Sequence, residues 1–543
     1  MESNPPGRAG LDKTELASHL PANPRPWFRT PHLLQLNLCV AVVLLSSTTM
    51  GFDGSMMNGL QSLDSWTSYF GNPSGTWLGL MNAVMPLGII IAAVPAGWLS
   101  DTIGRRYTIL IGLVILVAAA IMQAASHNMA TFIVSRFFVG FGMDIACVPA
   151  PVLITEIAYP THRGIVTSLF QTCFFLGSIA SSWCTFGTFN MTNSTWSWRI
   201  PSALQAFFPI VQFVGIFFVP ESPRWLIAKG RNDEARQFLV KYYAGGDADH
   251  PIVEYEYQAI ATRVSLEQDA AGLGWSCLWK TPADRKRTAI TIFTPFISQW
   301  SGNGIITYYL ALVLDSVGIK DSFTKTLING ILQIFNYFAA ILGAILVDRI
   351  GRRPLWLFSA LGMLVTFSVF TACSAVFANT QNHSVAVAVI VFIFVYYFHY
   401  DVAVTPLTFA YPAEIHPFHT RQKGLALCNL CNGLALMFNS FVNPIALEAI
   451  QWRYYLVYIG LLAIITIVIY LFYAETKGYS LEEISDIFEG PAVIPRLPGN
   501  RFRGRGDLEG TEAEVEAEKE KEKEKEKEPP VVEIEDAGSA VKG

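Results

Sequence analysis

Twelve apolar stretches, each long enough to cross a lipid bilayer, constrain this chain more than any other feature. A helix needs roughly 20 apolar residues to cross the hydrocarbon core. Hydrophobic residues make up 52% of the 543 residues and charged residues only 15%, whereas a soluble protein has about 25% charged residues. The sequence therefore predicts an all-α membrane protein and nearly excludes a soluble enzyme. The predicted spans lie near residues 34–59, 76–99, 107–126, 130–155, 165–187, 201–219, 289–314, 327–347, 355–377, 384–411, 424–447 and 453–473.

Loop charges predict the orientation of these spans. Basic residues favour the cytoplasmic side of a membrane. Three glycosylation sequons, at Asn190, Asn193 and Asn382, all fall in loops on the side that is poor in basic residues. Both termini and the long central loop are therefore predicted to be cytoplasmic, with the three asparagines outside. The basic residues of the short cytoplasmic loops are Arg105, Arg106, Arg163, Arg349, Arg352, Arg353, Arg421 and Lys423.

The two halves of the chain repeat the same charged motifs. Residues 101–106 recur at 348–353, Glu156 with Arg163 recurs as Glu414 with Arg421, and residues 220–224 correspond to 474–478. The offsets are 247, 258 and 254 residues, so the spacing is nearly constant. Such recurrence indicates two pseudo-symmetric bundles of six helices with a substrate site between them.

Five regions follow from the repeat. They are a cytoplasmic N-terminal tail (1–33), a six-helix bundle (34–220), a cytoplasmic central loop with short helices (221–288), a second six-helix bundle (289–474) and a cytoplasmic C-terminal tail (475–543). Glutamate and lysine alternate strictly over residues 518–528, which places like charges four residues apart and opposes a helix. The tail is therefore predicted to be largely disordered after about residue 490.

Together these motifs closely resemble the sugar porter family of the major facilitator superfamily. The resemblance extends over essentially all of residues 34–484, and it includes 136–142, 299–309 and 475–478 besides the repeated motifs. Within that family, the stretch Gln299 to Gly304 with Tyr308 and Tyr309 is most similar to the fungal lactose and cellodextrin permeases. The joint order and spacing of the motifs are specific for the family and much less so for the substrate.

The resemblance implies a set of sugar-contacting side chains. Neutral amides suit this task because they donate and accept hydrogen bonds without the cost of a buried charge. Aromatic rings can stack on the C–H faces of a sugar, although simple packing explains them equally well. An amide in a membrane helix can alternatively join two helices. The candidate substrate-binding residues are Gln171, Gln299, Asn303, Tyr308, Asn336, Phe409 and Asn432.

Four positions depart from the family pattern. Ser298 replaces the first residue of the usual double glutamine, and Gly304 stands where an asparagine is expected. Phe409 replaces a frequent tryptophan, and Gly433 replaces an aromatic residue. Smaller groups at all four positions predict a larger cavity, which favours a disaccharide such as lactose or cellobiose over a hexose.

Two ionisable residues inside the predicted spans point to proton coupling. Charged groups at membrane depth are costly and are therefore functional candidates. Asp53 and Arg136 both lie about six residues from the outer end of their spans, roughly 9 Å deep, so they can pair. In proton-coupled sugar porters the matching pair forms a protonation switch, and the alternative here is a purely structural ion pair. Asp401 is a further candidate for coupling or gating. Asp144 has no role that the resemblance supplies.

A set of acids and bases at the cytoplasmic helix ends is predicted to form an inner gate. The orientation of the helices in the membrane would require only the basic residues. Acidic residues at matching places in both halves therefore favour a salt-bridge network that breaks when the bundles rock. The predicted gate residues are Asp101, Arg105, Arg106, Glu156, Arg163, Asp348, Arg352, Arg353, Glu414 and Arg421.

These observations predict a proton-coupled sugar importer that works by alternating access. A passive hexose uniporter is the main alternative, and a transporter-like nutrient sensor is a minor one. The sequence contains no nucleophile constellation, metal-ligand cluster or phosphate loop, so we expect no enzymatic activity and no cofactor beyond the coupling proton. The expected partners are a sugar and the lipid bilayer, without nucleic acid. We expect a monomer in the plasma membrane.

Overall fold

The computed structural model describes residues 26–479, apart from 192, 193, 272 and 273, together with residues 483, 484, 487 and 488. Every regular element in this part of the chain is a helix, so the all-α prediction is confirmed. The predictions for most of the N-terminal tail, for glycosylation at Asn193 and for the tail after about residue 490 lie outside the described residues.

The first bundle is built from nine helices within the described residues. Proline divides the fourth and sixth predicted spans, because it has no backbone N–H to donate to the preceding turn. Pro149 begins one helix of the fourth span, and Pro209 leaves the carbonyl of Gln205 without its helical donor in the sixth. The helices are α1 (Pro31–Gln61), α2 (Asp64–Tyr69), α3 (Gly75–Ile103), α4 (Arg105–Ala124), α5 (Met129–Cys147), α6 (Pro149–Ile157), α7 (Arg163–Thr188), α8 (Trp196–Leu204) and α9 (Phe207–Gly215).

Three α-helices follow in the central loop within the described residues, besides a short 3-10 helix (Trp275–Trp279). They are α10 (Pro223–Ala228), α11 (Asn232–Tyr242) and α12 (Pro251–Ala271). Buried apolar side chains of α11 and α12, among them Phe238 and Ile252, share one core cluster with Leu36 of α1 and Ile157 of α6. The central loop is therefore packed against the first bundle rather than suspended between the two bundles.

The second bundle begins at Pro282 and contains seven helices within the described residues. The seventh predicted span is interrupted after Trp300, where Gly302 takes a left-handed conformation with φ of 107°. A Cβ on Gly302 would lie 2.7 Å from the ring of Phe367, so the break needs glycine for both reasons. The helices are α13 (Pro282–Trp300), α14 (Asn303–Ser316), α15 (Ser322–Ile350), α16 (Arg352–Thr380), α17 (His383–Ile415), α18 (Phe418–Ile450) and α19 (Tyr455–Phe472).

The described helices account for all twelve predicted spans. Ten segments are long and apolar enough to cross a membrane, and one of these, Thr420–Phe472, contains both most of α18 and α19. The interrupted pair α13 and α14 supplies the remaining span. Large apolar side chains such as Val94 (81% exposed) and Phe218 (74% exposed) cover the outer faces of the helices, as a surface against lipid requires.

One turn is built in the same way in both bundles. Gly104 joins α3 to α4 with φ of 102°, and Gly351 joins α15 to α16 with φ of 108°. We call the end of the bundles that holds these two turns the inner end and the opposite end the outer end, following the predicted orientation. A carboxylate caps the next helix at each turn. Glu221 Oε1 accepts from the backbone N–H of Arg105 (3.0 Å), and Glu475 Oε1 accepts from that of Arg352 (2.9 Å).

Hydrogen bonds join the two bundles in the outer half. Asn58 Nδ2 donates to Asn329 Oδ1 (3.1 Å), and Asn329 Nδ2 donates to Ser182 Oγ (3.1 Å). Gln61 Nε2 donates to the carbonyl of Tyr308 (3.0 Å). The outer half of the interface between the bundles is therefore closed in this structure.

Candidate functional site

Asp53 and Arg136 lie in contact in the middle of the first bundle. Arg136 Nη1 donates to Asp53 Oδ1 at 2.6 Å, and both side chains are fully buried. The second carboxylate oxygen, Oδ2, has no hydrogen-bond partner among the described residues. A buried charge is tolerated when it is paired and hydrogen-bonded. The pair therefore balances its charges but leaves one oxygen available.

Gln205 completes this pair, and the sequence reasoning missed it. Its Nε2 donates to the same oxygen, Asp53 Oδ1, at 2.6 Å, and the side chain is buried. Gln205 lies between α8 and α9, where the sixth span is interrupted. In the sequence, Gln205 is recognisable only as a polar residue just before the apolar Phe207–Pro209 segment. Its contact with Asp53 is formed only in the folded bundle.

Gln299 and Asn432 meet across the second bundle. Gln299 Nε2 donates to Asn432 Oδ1 at 3.0 Å, which joins α13 to α18. The backbone carbonyl of Gln299 accepts from Asn439 Nδ2 at 2.8 Å. The amide oxygen of Gln299 is buried and has no partner among the described residues. One predicted sugar contact thus supports another and retains a free acceptor.

Asn303 is held in a group of hydroxyls beside the break in the seventh span. Its Nδ2 donates to Tyr400 Oη at 3.1 Å, and its Oδ1 accepts from Thr307 Oγ1 at 2.6 Å. Tyr400 Oη also lies 3.1 Å from Ser298 Oγ. Each end of the Asn303 amide makes one hydrogen bond, so one N–H and one lone pair remain for its predicted role as a direct sugar contact.

The remaining predicted substrate residues differ in their surroundings. Asn336 is buried on α15, and its Oδ1 has no partner among the described residues. Gln171 on α7 is exposed, and Phe409 on α17 is half-buried. Tyr308 is half-buried on α14 and packs against a cluster of buried side chains beneath the outer end. Gln299 and Asn432 are in direct contact, whereas Gln171, Asn336 and Phe409 lie on three other helices.

Two of the four substitutions taken to enlarge the cavity do not do so. A Cβ on Gly304 would lie 1.9 Å from Asn439 Nδ2, so the space is filled by Asn439. A Cβ on Gly433 would lie 2.9 Å from Ile90 Cγ1 of α3. These glycines permit close packing instead of opening volume. The predicted gain in cavity volume was wrong at Gly304 and Gly433, because the sequence does not show which neighbouring side chain fills the space beside a glycine.

Asp401 and Asp144 are buried acids without a basic partner among the described residues. Asp401 Oδ1 accepts from Thr405 Oγ1 at 2.8 Å, and its Oδ2 has no partner. Asp144 Oδ2 is likewise unpartnered. Neither lies in an arrangement comparable to the Asp53 pair. Of these three acids, Asp53 alone has a cation partner as well as an unpartnered oxygen among the described residues.

The predicted inner gate contains one matched ion pair in each bundle. Arg105 Nε lies 3.2 Å from Glu156 Oε2, and Arg352 Nη2 lies 2.9 Å from Glu414 Oε1. Each arginine also contacts an exposed aspartate one turn earlier on the neighbouring helix. These contacts are Arg105 with Asp101 (3.7 Å) and Arg352 with Asp348 (3.2 Å). The pairs lie within a bundle, so in this structure they hold helix ends together and do not bridge the two bundles.

The other predicted gate arginines contact backbone carbonyl groups or the central loop. Arg106 Nη2 donates to the carbonyl of Phe217, and Arg353 Nη2 donates to that of Tyr470, both at 2.8 Å. Arg163 pairs with Glu256 of the central loop (3.1 Å). Arg421 donates to the carbonyl of His416 at 3.3 Å. Arg106 and Arg353 therefore tie the last span of each bundle to its inner turn.

Two of the three sequon asparagines, Asn190 and Asn382, are among the described residues and lie on the surface at the outer end. Asn190 is exposed just after α7, and Asn382 is exposed at the start of α17. The side chain of Asn382 accepts from the backbone N–H of Ser384 at 2.9 Å and so caps that helix. Both asparagines are sterically accessible for glycosylation.

Two helical bundles with buried amides and a buried ion pair define a membrane transporter. The chain belongs to the sugar (and other) transporter family, whose model matches residues 38–488. It is 29% identical over 477 residues to the low-affinity glucose transporter HXT1 of Saccharomyces cerevisiae, covering 85% of this chain and 82% of that protein. It is 27% identical over 492 residues to a high-affinity glucose transporter of Kluyveromyces lactis, covering 86% and 89%.

Solved structures share the fold. The xylose transporter XylE from E. coli, in a partially occluded inward-open conformation, superposes with a TM-score of 0.68 at 20% identity, covering 82% of this chain and 99% of that one. The chain is thus a multi-pass membrane protein of a sugar-transporting family and not an enzyme.

Proposed function

We propose that this transporter couples sugar import to protons through Asp53. The observation that carries the proposal is the asymmetry of the Asp53 carboxylate. Oδ1 receives both Arg136 and Gln205, while Oδ2 is buried and unpartnered. A proton can bind Oδ2 without first displacing either donor. Protonation then removes the charge that balances Arg136.

Loss of the negative charge on Asp53 would drive the conformational change. An uncompensated buried guanidinium is strongly unfavourable, by about 3–5 kcal/mol when one partner of a buried pair is removed. The pair joins α1 to α5, and Gln205 joins both to the break between α8 and α9. Protonation therefore favours a different arrangement of these helices, and the bundles can rock between two states by alternating access.

Amide groups from both bundles would recognise the sugar. The unpartnered oxygens of Gln299 and Asn336 are acceptors of the kind that sugar hydroxyls satisfy. The amides of Gln171 and Asn432 add donors and acceptors from α7 and α18. Amides from both bundles would thus contact one substrate, and this links sugar binding to movement of the bundles.

The substrate class has two candidates, each favoured by a specific observation. A disaccharide is favoured by Ser298 and Phe409, which remain smaller than the usual family residues, while Gly304 and Gly433 give no support. A hexose is favoured by the relatives, which are named as glucose transporters. We also propose that the chain acts as a monomer in the plasma membrane with both termini cytoplasmic.

Uptake of a labelled sugar panel in transporter-null cells, with and without a protonophore, tests the proposal. We expect concentrative uptake that the protonophore abolishes, and Asp53→Asn should abolish accumulation while exchange remains measurable. Asp233→Asn, an exposed change on α11, is the matched control. Accumulation retained in Asp53→Asn would refute the coupling. Strong glucose uptake uninhibited by lactose or cellobiose would refute the disaccharide.

A further inference from the structure

A cavity of about 490 Å³ lies at the inner end between the first bundle and the central loop. The end of α6, the first two turns of α7, α10 and α12 line it. Its volume falls within the range of roughly 300–1,000 Å³ that is typical of small-molecule sites. Apart from Glu156 and Arg163, its lining residues have no part in the transport scheme above.

Three arginines face this cavity, and only two of them have a carboxylate partner. Arg163 pairs with Glu256 at 3.1 Å, and Arg224 pairs with Glu267. Arg263 has neither a hydrogen bond nor an ion pair among the described residues. The wall also contains Glu156 and Glu256, so its lining holds three arginines against two glutamates, and Arg263 is the arginine that makes no direct pair within the described part of the chain.

The surroundings of Arg263 show that this charge is costly. Burial lowers the pKa of Arg263, and the neighbouring Arg163 and Arg224 lower it further, while Glu256 and Glu267 act in the opposite direction. An arginine side chain nevertheless stays protonated at neutral pH. A bound anion would relieve both the burial of the charge and the repulsion between the arginines.

The start of α7 adds a second feature that favours an anion. This helix runs from Arg163 to Thr188, and its N-cap residue, His162, makes no side-chain capping bond. Gly164 lines the cavity, and a Cβ placed on it would meet no atom within 4 Å. Free N–H groups and the helix dipole at such an N-terminus attract phosphate-like anions.

We propose that this cavity binds a phosphate group, held between Arg263 and the first turn of α7. The phosphate belongs either to a soluble phosphorylated compound or to an anionic lipid headgroup. Arg163 and Arg224 supply further donors at its edge. Because Arg263 lies on α12 and Gly164 on α7, the bound group bridges the central loop and the inner end of the first bundle.

Binding to the purified full-length transporter tests this site. Inorganic phosphate is titrated against protein in neutral detergent at constant ionic strength, and thermal stability is measured in phosphatidylcholine vesicles with and without phosphatidic acid. Arg263→Gln should weaken binding by about tenfold or more, the factor expected when a charge-assisted hydrogen bond of ordinary strength is lost. Arg263→Lys keeps the charge and should keep most of the binding. Arg231→Gln is the matched control, since Arg231 is exposed and pairs with Glu234.

The two arms identify the source of the phosphate. Binding of inorganic phosphate that Arg263→Gln removes supports a soluble ligand. Stabilisation by phosphatidic acid alone, again lost in Arg263→Gln, supports a lipid headgroup. The proposal is overturned if neither probe binds the wild-type protein, or if Arg263→Gln binds as tightly as Arg231→Gln. Arg263→Lys guards against misfolding, because binding that is lost in Arg263→Gln and kept in Arg263→Lys assigns the effect to the charge, whereas loss of binding in both variants would contradict the proposal.

Discussion

Removing the Glu221 cap should destabilise the first bundle by a predictable amount. The carboxylate accepts from the backbone N–H groups of Arg105 (3.0 Å) and Arg106 (3.2 Å) at the start of α4. Glu221 Oε1 also accepts from the backbone N–H of Ser222 (2.9 Å), so Glu221→Ala leaves three donors without a partner at a half-buried site. An orphaned donor costs about 1–3 kcal/mol, and the lower half of that range applies where water has partial access. For three donors we therefore expect a loss of about 3–6 kcal/mol of unfolding free energy.

The negative charge of Glu221 should contribute much less to stability than the three hydrogen bonds that its carboxylate accepts. Burial raises the pKa of Glu221, in opposition to the N–H groups of Ser222, Arg106 and Arg105, which lower it. Glu221→Gln keeps an acceptor and should cost less than about 1 kcal/mol. Because the folded state holds the proton more tightly than the unfolded state, wild-type stability should fall as pH rises from 4.5 through the raised pKa, and Glu221→Gln should lack this slope.

Equilibrium unfolding in mixed micelles, followed by tryptophan fluorescence, measures both effects. Glu475→Ala removes the equivalent cap from α16 and should cost about as much, because Glu475 accepts from Arg352 and Arg353 in the same way. Glu234→Ala, at an exposed ion pair, is the control. The reasoning is refuted if Glu221→Ala is no more destabilising than Glu234→Ala.

Three further substitutions probe the sugar site and the central loop. Gln299→Ala removes a free acceptor and the support of Asn432, so KM for the sugar should rise about tenfold or more in uptake assays, and an unchanged KM would exclude direct contact. Gly304→Ala should displace Asn439 and lower transport together with about 1–3 kcal/mol of stability, whereas larger glycosides should not be accepted better. Tyr243→Phe removes a buried hydrogen bond at the turn before α7 and should cost about 1 kcal/mol in the same unfolding assay.

The sequence predicted the spans and the repeat because both are expressed in local patterns. Long apolar runs locate helices, and the recurrence of residues 101–106 at 348–353 locates equivalent turns. The contact between Asp53 and Arg136 also followed, since equal depth on two spans makes pairing possible. In each case the quantity that decides the structure, the length of an apolar run or the depth of a residue in its span, can be counted along the sequence.

Tertiary packing decided the features that the sequence did not reveal. Gln205, at the break between α8 and α9, is brought to Asp53 by the folding of the bundle. Gly304 adds no volume because Asn439 fills the space beside it. Glu221 and Glu475 were recognised as parts of a repeated motif, yet their role as helix caps depends on the return of each bundle's last span to its inner turn. Such contacts join residues more than 100 positions apart.

Sugar-driven proton movement in sealed proteoliposomes tests the central claim most directly. Vesicles containing the purified transporter and an internal pH-sensitive dye receive an external sugar at equal pH on both sides, with no other gradient. The account predicts acidification of the vesicle lumen by the wild-type protein and none by Asp53→Asn. Sugar entry into wild-type vesicles without any pH change would contradict proton coupling and would indicate a passive uniporter.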